Sequence, residues 1–110
     1  MKNSLAVIVP FFNEEKTIEL SLRRLIKIDV VQQIICVNDC SQDKSLEIVD
    51  QIKNEDARIE IISNKVNNGK GYAITSAKKY VKTSHVAIHD ADLEYFPEDL
   101  VSMWERVDKN

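Results

Sequence analysis

Short apolar runs alternate with helical patterns along the whole chain, and this alternation most limits what it can fold into. Residues 5–9 and 34–37 are short and continuously apolar, as expected for strands buried on both faces. Residues 59–62 and 85–89 predict two further strands. Four stripes with the spacing of amphipathic helices lie between and after these strands. They are Ile18, Leu22, Leu25 and Ile26; Leu46, Ile48, Val49 and Ile52; Ala73, Ile74, Ala77, Tyr80 and Val81; and, after Pro97, Leu100, Val101, Trp104 and Val107.

The order β-α-β-α-β-α-β-α predicts an α/β fold. Strands that alternate with helices form a mainly parallel sheet, with helices on both faces joined by right-handed crossovers. The 110 residues contain no linker and suffice for one core, so we expect a single domain over residues 1–110.

Composition excludes several classes of protein. The chain has 15 Lys and Arg against 18 Asp and Glu, a balance that argues against nucleic-acid binding. The apolar run 5–12 contains a proline and is too short to span a bilayer. It also does not resemble a secretory signal peptide, and two cysteines give no disulfide framework. These features predict a reduced, cytoplasmic protein.

Ligands of parallel α/β sheets bind beyond the carboxyl ends of the strands. Four polar segments lie at such ends: residues 10–15, 38–43, 63–71 and 90–97. We therefore expect any functional site to be built from these four segments.

The segment after the fourth strand predicts a metal site. In an extended backbone, Asp90 and Asp92 point the same way with Cα atoms about 7 Å apart, and Glu94 continues the series. Such carboxylates suit Mg²⁺ or Mn²⁺, which also bind phosphate oxygens. The alternative is that these acids have no ligand and only stabilise the following helix, because negative charge interacts favourably with the positive end of its dipole. His85 and His89 lie roughly 13 Å apart on a strand, which argues against a zinc pair. We interpret His89 as a buried neighbour of the acids.

The segment after the first strand allows two interpretations. Asn13 is a good helix N-cap, and Glu14 suits a first helical turn. Alternatively, the segment forms a lip whose backbone and aromatic faces pack against a nucleotide base or ribose.

The segments after the second and third strands also allow two interpretations each. Ser41 or Asp43 could cap the next helix, whereas Asp39 could accept hydrogen bonds from a base or a ribose. Gly69 and Gly71 would form a turn, or would let the backbone approach a ligand while Lys70 meets its phosphate. The chain lacks the glycine patterns of dinucleotide folds and P-loops.

Together these segments resemble the nucleotide-sugar-binding half of an inverting family 2 glycosyltransferase with a GT-A fold. Residues 7–15 (VIVPFFNEE) resemble the family pattern V-x-[IV]-P-x-[YF]-N-E-E. Residues 35–45 (ICVNDCSQDKS) resemble I-x-V-D-D-G-S-x-D-x-[ST]. Residues 68–71 (NGKG) match part of N-x-G-K-G, and 90–100 (DADLEYFPEDL) match D-A-D-x-[EQ]-x-x-P-E-x-[LI].

This resemblance implies that the chain binds a nucleoside diphosphate sugar together with Mg²⁺ or Mn²⁺. Asp90, Asp92 and Glu94 would hold the metal. The remaining implied nucleotide-binding residues are Pro10, Phe12, Glu14, Asn38, Asp39, Gly69 and Lys70, along with Asp90. Residues 93–95 are most similar to the branch that transfers to polyprenyl phosphates, such as dolichyl-phosphate mannosyltransferases, which would bring the whole protein to a membrane surface.

The chain departs from the family pattern at two positions. Asn38 stands where an aspartate is usual, and Cys40 replaces a glycine, which requires a negative φ at Cys40. The family's catalytic base and acceptor site lie after the acidic segment. We therefore expect the base beyond Asn110, and the chain to be a donor-binding part of a longer transferase.

The alternative function is a non-catalytic nucleotide-binding or receiver-like regulatory α/β module. Receiver domains carry a phosphorylatable aspartate after the third strand, where this chain has Ser63 and Asn64.

Overall fold

The computed structural model describes residues 3–91 and 99–108 and shows alternating strands and helices. The elements are β1 Leu5–Phe11, α1 Ile18–Ile26, β2 Val31–Asn38, α2 Ser45–Lys53, β3 Ile59–Ser63, α3 Lys70–Lys78, β4 His85–Ile88 and α4 Asp99–Asp108.

Within these residues the strands form one parallel sheet in the order β3-β2-β1-β4. In the register, Ile8 of β1 lies opposite Ile35 of β2 and Ile88 of β4. Because every pairing is parallel, the carboxyl ends of all four strands meet at one edge. The predicted fold class is confirmed.

Alternate residues of the central strands fill two cores. On one face Val7, Val9 and Cys36 pack with Leu22 of α1 and Val49 of α2, and Trp104 of α4 joins this larger core. On the opposite face, Ile8, Ile35 and Val37 pack against Ala73 and Ala77 of α3. The period-two alternation of strands and the small residues of α3 explain how both faces are covered.

The edge strand β4 is less buried than β1 and β2. Val86 and Ile88 are 41% and 47% exposed because α3 contacts β1 and β2 on that face. Tyr80, predicted as a helix-face residue, instead follows the end of α3 and is exposed, since the helix ends at Lys78. Pro97, the predicted start of the last helix, lies outside the described residues. In the described part of the chain, no helix is long and apolar enough to cross a bilayer.

Asn13 does not cap α1, so of the two interpretations of this segment the helix cap does not hold for Asn13. The helix begins at Ile18 with Thr17 at the N-cap position, so the polar segment after β1 is longer than its sequence pattern indicates. Asn13 instead has a φ of 51°, a left-handed conformation that asparagine tolerates better than most residues. Its side chain is used in the contacts described below.

Arg58 secures the end of the sheet opposite the polar segments. Its guanidinium donates to the carbonyl oxygens of Ile26, Ile28 and Val31 and to the carboxylate of Asp56. The hydrogen bond from Arg58 holds the pKa of Asp56 below its usual range, and its effect outweighs that of burial. Because the carboxylate form is favoured in the folded state, this contribution is present above the unfolded pKa of about 4 and is lost as pH falls.

We therefore expect the Asp56→Asn variant to be about 1 kcal/mol less stable than the wild type at pH 7. As pH falls from about 4 through the lowered pKa of Asp56, the wild type should lose this advantage, and the two unfolding free energies should converge. Urea unfolding across that range measures both. A constant difference over the whole range would contradict the role given to the Arg58 hydrogen bond.

Candidate functional site

The predicted segments form a cavity of about 280 Å³ at the carboxyl edge of the sheet. Its lining comes from the ends of β1, β2 and β4 and from the start of α3. The lining residues are Pro10, Phe11, Phe12, Glu14, Asp39, Lys70, Ala73, Asp90 and Ala91. The parallel sheet thus brings together residues as far apart in the chain as Pro10 and Ala91.

Most of the predicted nucleotide-binding residues line this cavity, namely Pro10, Phe12, Glu14, Asp39, Lys70 and Asp90. Asn38 and Gly69 do not line it. Asn38 is buried at the end of β2, and Gly69 contacts the cavity residue Asp39 through its backbone N–H.

Phe12 and Glu14 form the β1 side of the cavity. Phe12 is 41% exposed although it is large and apolar, and it lines the cavity, so part of the ring is available to a ligand. The Glu14 carboxylate accepts a hydrogen bond from the Thr17 hydroxyl at 3.3 Å. This contact holds the carboxylate near the start of α1.

The Asp39 carboxylate organises the loop before α3. One oxygen accepts from the backbone N–H of Gly69 at 2.9 Å, and the other from the N–H of Asn68 at 3.2 Å and the Asn64 amide at 3.4 Å. Asp39 is 4% exposed. Its carboxylate therefore has a structural role that the sequence pattern did not indicate, because these donors lie 25 to 30 residues away.

Asn38 and Cys40 shape the turn that follows β2. The Asn38 side-chain oxygen accepts from the N–H of Ser41 at 2.8 Å. Cys40 has a φ of 67°, so the expectation of a negative φ was wrong. Its thiol lies 3.4 Å from the Lys65 carbonyl oxygen. By contrast, Cys36 is a core residue, and burial raises the pKa of its thiol to about 12.

Replacing Cys40 by glycine should stabilise the chain by about 0.5–1 kcal/mol. A left-handed φ costs a side chain roughly 1–2 kcal/mol, and part of this gain is offset by the greater freedom of glycine in the unfolded state.

Gly69→Ala is the matched control, because Gly69 has a φ of 88° and an added Cβ would meet no atom within 4 Å. Backbone strain alone should make that variant about 1 kcal/mol less stable. Chemical denaturation under reducing conditions measures both changes, and a destabilised Cys40→Gly protein would contradict the strain at Cys40.

Lys70 and Asp90 meet across the cavity. The Lys70 ammonium, at the start of α3, forms an ion pair with the Asp90 carboxylate, just after β4. Both side chains retain solvent access. Asp92 and Glu94, the other predicted metal ligands, lie outside the described residues. Among the residues that the structure describes, no three acids, histidines or cysteines are grouped as a metal site.

His89 is buried beside Asp90, as its sequence position predicts. Its Nε2 lies 3.0 Å from the Ser21 hydroxyl of α1, and both residues are at most 3% exposed. Ser21 was not identified from the sequence, because a single serine within an apolar helical stripe gives no signal of such a contact.

Asp43 lies at the start of α2, where its carboxylate accepts from the N–H of Ser45 at 2.9 Å. The N-cap position of α2 is held by Lys44, so neither Asp43 nor Ser41 is the helix cap that the sequence suggests. Asp43 still contacts the first residue of the helix, whereas the Ser41 hydroxyl accepts from Asn13. Burial raises the pKa of Asp43, but hydrogen bonds from Ser45 and Glu15 outweigh it and bring the pKa below its usual value.

The fold and the cavity define a parallel α/β domain with a polar ligand site at the carboxyl edge of its sheet. The model of the family described as glycosyl transferase family 2 matches residues 6–110. The chain therefore belongs to glycosyltransferase family 2. This membership favours a glycosyltransferase over the receiver-like alternative.

Curated relatives agree with this assignment. The chain is 32% identical over 111 residues to a protein of Synechocystis sp. named uncharacterized glycosyltransferase sll0501, covering 94% of this chain and 35% of that protein. It is 30% identical over 103 residues to the undecaprenyl-phosphate 4-deoxy-4-formamido-L-arabinose transferase of Proteus mirabilis, covering 89% and 32% respectively. The chain thus spans about a third of the length of these relatives.

A solved structure shares the fold. This chain is similar to the crystal structure of residues 1–349 of TarS from S. aureus in complex with UDP-GlcNAc, with a TM-score of 0.84 and 29% sequence identity. The match covers 96% of this chain and 31% of the TarS chain.

Proposed function

We propose that the chain binds a nucleoside diphosphate sugar in the cavity at the carboxyl edge of the sheet, as the donor site of a longer inverting glycosyltransferase. The observation that carries this proposal is the convergence of Phe12, Glu14, Asp39, Lys70 and Asp90 on one cavity. An exposed aromatic ring, polar acceptors, a cation and a carboxylate are the groups that a base, a ribose and a diphosphate need.

Each side of the cavity would bind a different part of the donor. Pro10 and Phe12 would pack against the base, and Glu14 would accept hydrogen bonds from the nucleoside. Lys70, whose ammonium lies in the cavity beside the Asp90 carboxylate, would bind phosphate oxygens of the diphosphate. About 280 Å³ is at the lower end of the range for small-molecule pockets, so the described residues would enclose part of the donor.

A divalent cation fits the chemistry of this site. The Asp90 carboxylate points into the cavity and is already paired with a positive group, the Lys70 ammonium. Asp90, with Asp92 and Glu94, would hold Mg²⁺ or Mn²⁺, as the sequence pattern predicts. When bound, the cation would supply positive charge that stabilises the leaving diphosphate.

The acceptor is proposed to be a polyprenyl phosphate. The support is the similarity of residues 93–95 to that branch of the family, together with the undecaprenyl-phosphate transferase among the relatives. A phosphate acceptor is already ionised near neutral pH, so less help from a general base would be needed than for a hydroxyl acceptor.

Isothermal titration calorimetry of the chain with UDP-sugars and GDP-sugars, with and without Mn²⁺, tests the donor site. We expect binding of one nucleotide class that is strengthened by Mn²⁺. A well-folded sample that binds neither class, with or without the metal, would overturn the proposal.

A further inference from the structure

The loops that follow β1 and β2 are held together by hydrogen bonds beside the cavity. These bonds join residues 13–15 to residues 41–45, which are 28 to 31 positions away in the chain. We call this set of contacts the loop clasp.

Three consecutive N–H groups of the first loop donate to side chains of the second. Asn13 donates to the Ser41 hydroxyl at 3.0 Å, and Glu14 donates to the Ser45 hydroxyl at 2.7 Å. Glu15 donates to the Asp43 carboxylate at 3.1 Å. The acceptors are alternate residues, Ser41 and Asp43 in the second loop and Ser45 at the first position of α2. Together they accept from the N–H groups of one short segment.

Side chains of the first loop bind the second loop in return. The N–H of Gln42 donates to the Asn13 side-chain oxygen at 2.8 Å. The N–H of Lys44 donates to the Glu15 carboxylate at 3.2 Å. Because the bonds run in both directions, neither loop can shift without breaking contacts of the other.

The acceptor side chains of the clasp do not line the cavity, whereas Phe12 and Glu14 do. Ser45 is fully buried, and its hydroxyl binds the backbone N–H of Glu14 itself. The clasp also fixes Asn13, which has a left-handed φ of 51° and lies between these two cavity residues. The clasp can therefore act on a bound ligand through the placement of Phe12 and Glu14.

We infer that Ser41, Asp43 and Ser45 are positioning residues that hold Phe12 and Glu14 in the geometry that binds the nucleotide. This inference rests on the proposed donor site. Ordering the loop before binding lowers the conformational entropy that the ligand would otherwise cost. The serine-x-aspartate-x-serine pattern of residues 41–45 thus acts on the neighbouring loop, and Asp43 also accepts from the N–H of Ser45 at the start of α2.

Ser45→Ala tests the inference, and Ser84→Ala, at an exposed position, is the control for loss of a serine hydrogen bond away from the cavity. Ser84 also bonds a backbone N–H of a distant segment, that of Ser4 at 2.8 Å, but at the opposite end of the sheet. Calorimetry with UDP and GDP measures nucleotide affinity, and thermal unfolding measures stability. We expect Ser45→Ala to bind the nucleotide about threefold to tenfold more weakly than the wild type. Ser84→Ala should lose stability with unchanged affinity.

A second clasp variant and a local measurement complete the test. Asp43→Asn replaces one of two accepting oxygens and disturbs the clasp without creating a buried cavity, so it serves if Ser45→Ala does not fold. Hydrogen exchange of the Glu14 and Glu15 amides should accelerate in both clasp variants, and not in Ser84→Ala.

The outcomes separate the two proposals. If the wild type binds a nucleotide and the clasp variants bind it equally well despite faster amide exchange, the positioning role is overturned and the donor site stands. If the wild type binds neither UDP nor GDP, the donor site and the positioning role both fail.

Discussion

Replacing Asp90 by asparagine is expected to remove the metal-dependent part of nucleotide-sugar binding, with a loss of at least about tenfold in affinity when Mn²⁺ is present. Asparagine has nearly the same shape but no charge, and it is a much weaker ligand for a hard cation. The Lys70 pair is partly exposed on both sides, so its loss should change the unfolding free energy by less than about 1 kcal/mol. The effect on binding should therefore be seen in a protein that remains folded.

Calorimetry with the preferred nucleotide sugar, with and without Mn²⁺, measures this change. Asp50→Asn is the control, because Asp50 is an exposed aspartate on α2, away from the cavity lining. It should bind like the wild type. An Asp90→Asn protein that keeps the wild-type dependence on Mn²⁺ would contradict the metal role of Asp90.

Asp39→Asn is expected to produce the second largest effect, in both stability and binding. An asparagine side chain offers one accepting oxygen where Asp39 uses two, so either Gly69 or the pair Asn68 and Asn64 loses an acceptor. The Gly69 N–H would keep the Asn67 side-chain oxygen as a second acceptor at 3.1 Å. Because these loop donors are partly exposed, losing such a hydrogen bond costs about 0.5–1.5 kcal/mol. Because the loop ahead of Lys70 would also lose its anchor, nucleotide affinity should fall about tenfold.

Thermal unfolding and calorimetry on the same samples test this prediction, again with Asp50→Asn as the control. Hydrogen exchange of the Gly69 amide adds a local measurement, since this amide donates to Asp39 at 2.9 Å. Unchanged exchange at Gly69 together with weakened binding would show that Asp39 acts on the nucleotide and does not anchor the loop.

Much of the fold could be predicted because burial leaves a periodic trace in the sequence. The continuous apolar run of β1 indicates a strand buried on both faces, and the stripe of α1 indicates a helix buried on one face. The order of such elements implies a parallel sheet. Tyr80 shows the limit of this reasoning. It continues the stripe of α3 in sequence, but the helix ends two residues earlier and the side chain is exposed.

Much of the candidate site was predictable for a related reason. Parallel strands place their carboxyl ends at one edge, so Phe12, Asp39 and Asp90 could be expected to converge once the strands had been recognised. The detailed roles were less accessible. Asn13 and Ser41 fit helix caps in the sequence, yet they bind each other across two loops.

The sequence by itself determined the class of fold, the edge of the sheet that carries the site, and most residues that line the cavity. These features follow from patterns of burial and polarity that neighbouring residues share. Only the tertiary structure decided the left-handed backbone at Cys40, the anchoring of the Gly69 loop by Asp39, and the loop clasp. Each of these depends on which donors and acceptors of distant segments come within hydrogen-bond distance. Which groups meet is set by the register of β1 against β2 and by individual backbone angles, and neither leaves a periodic signal in the sequence.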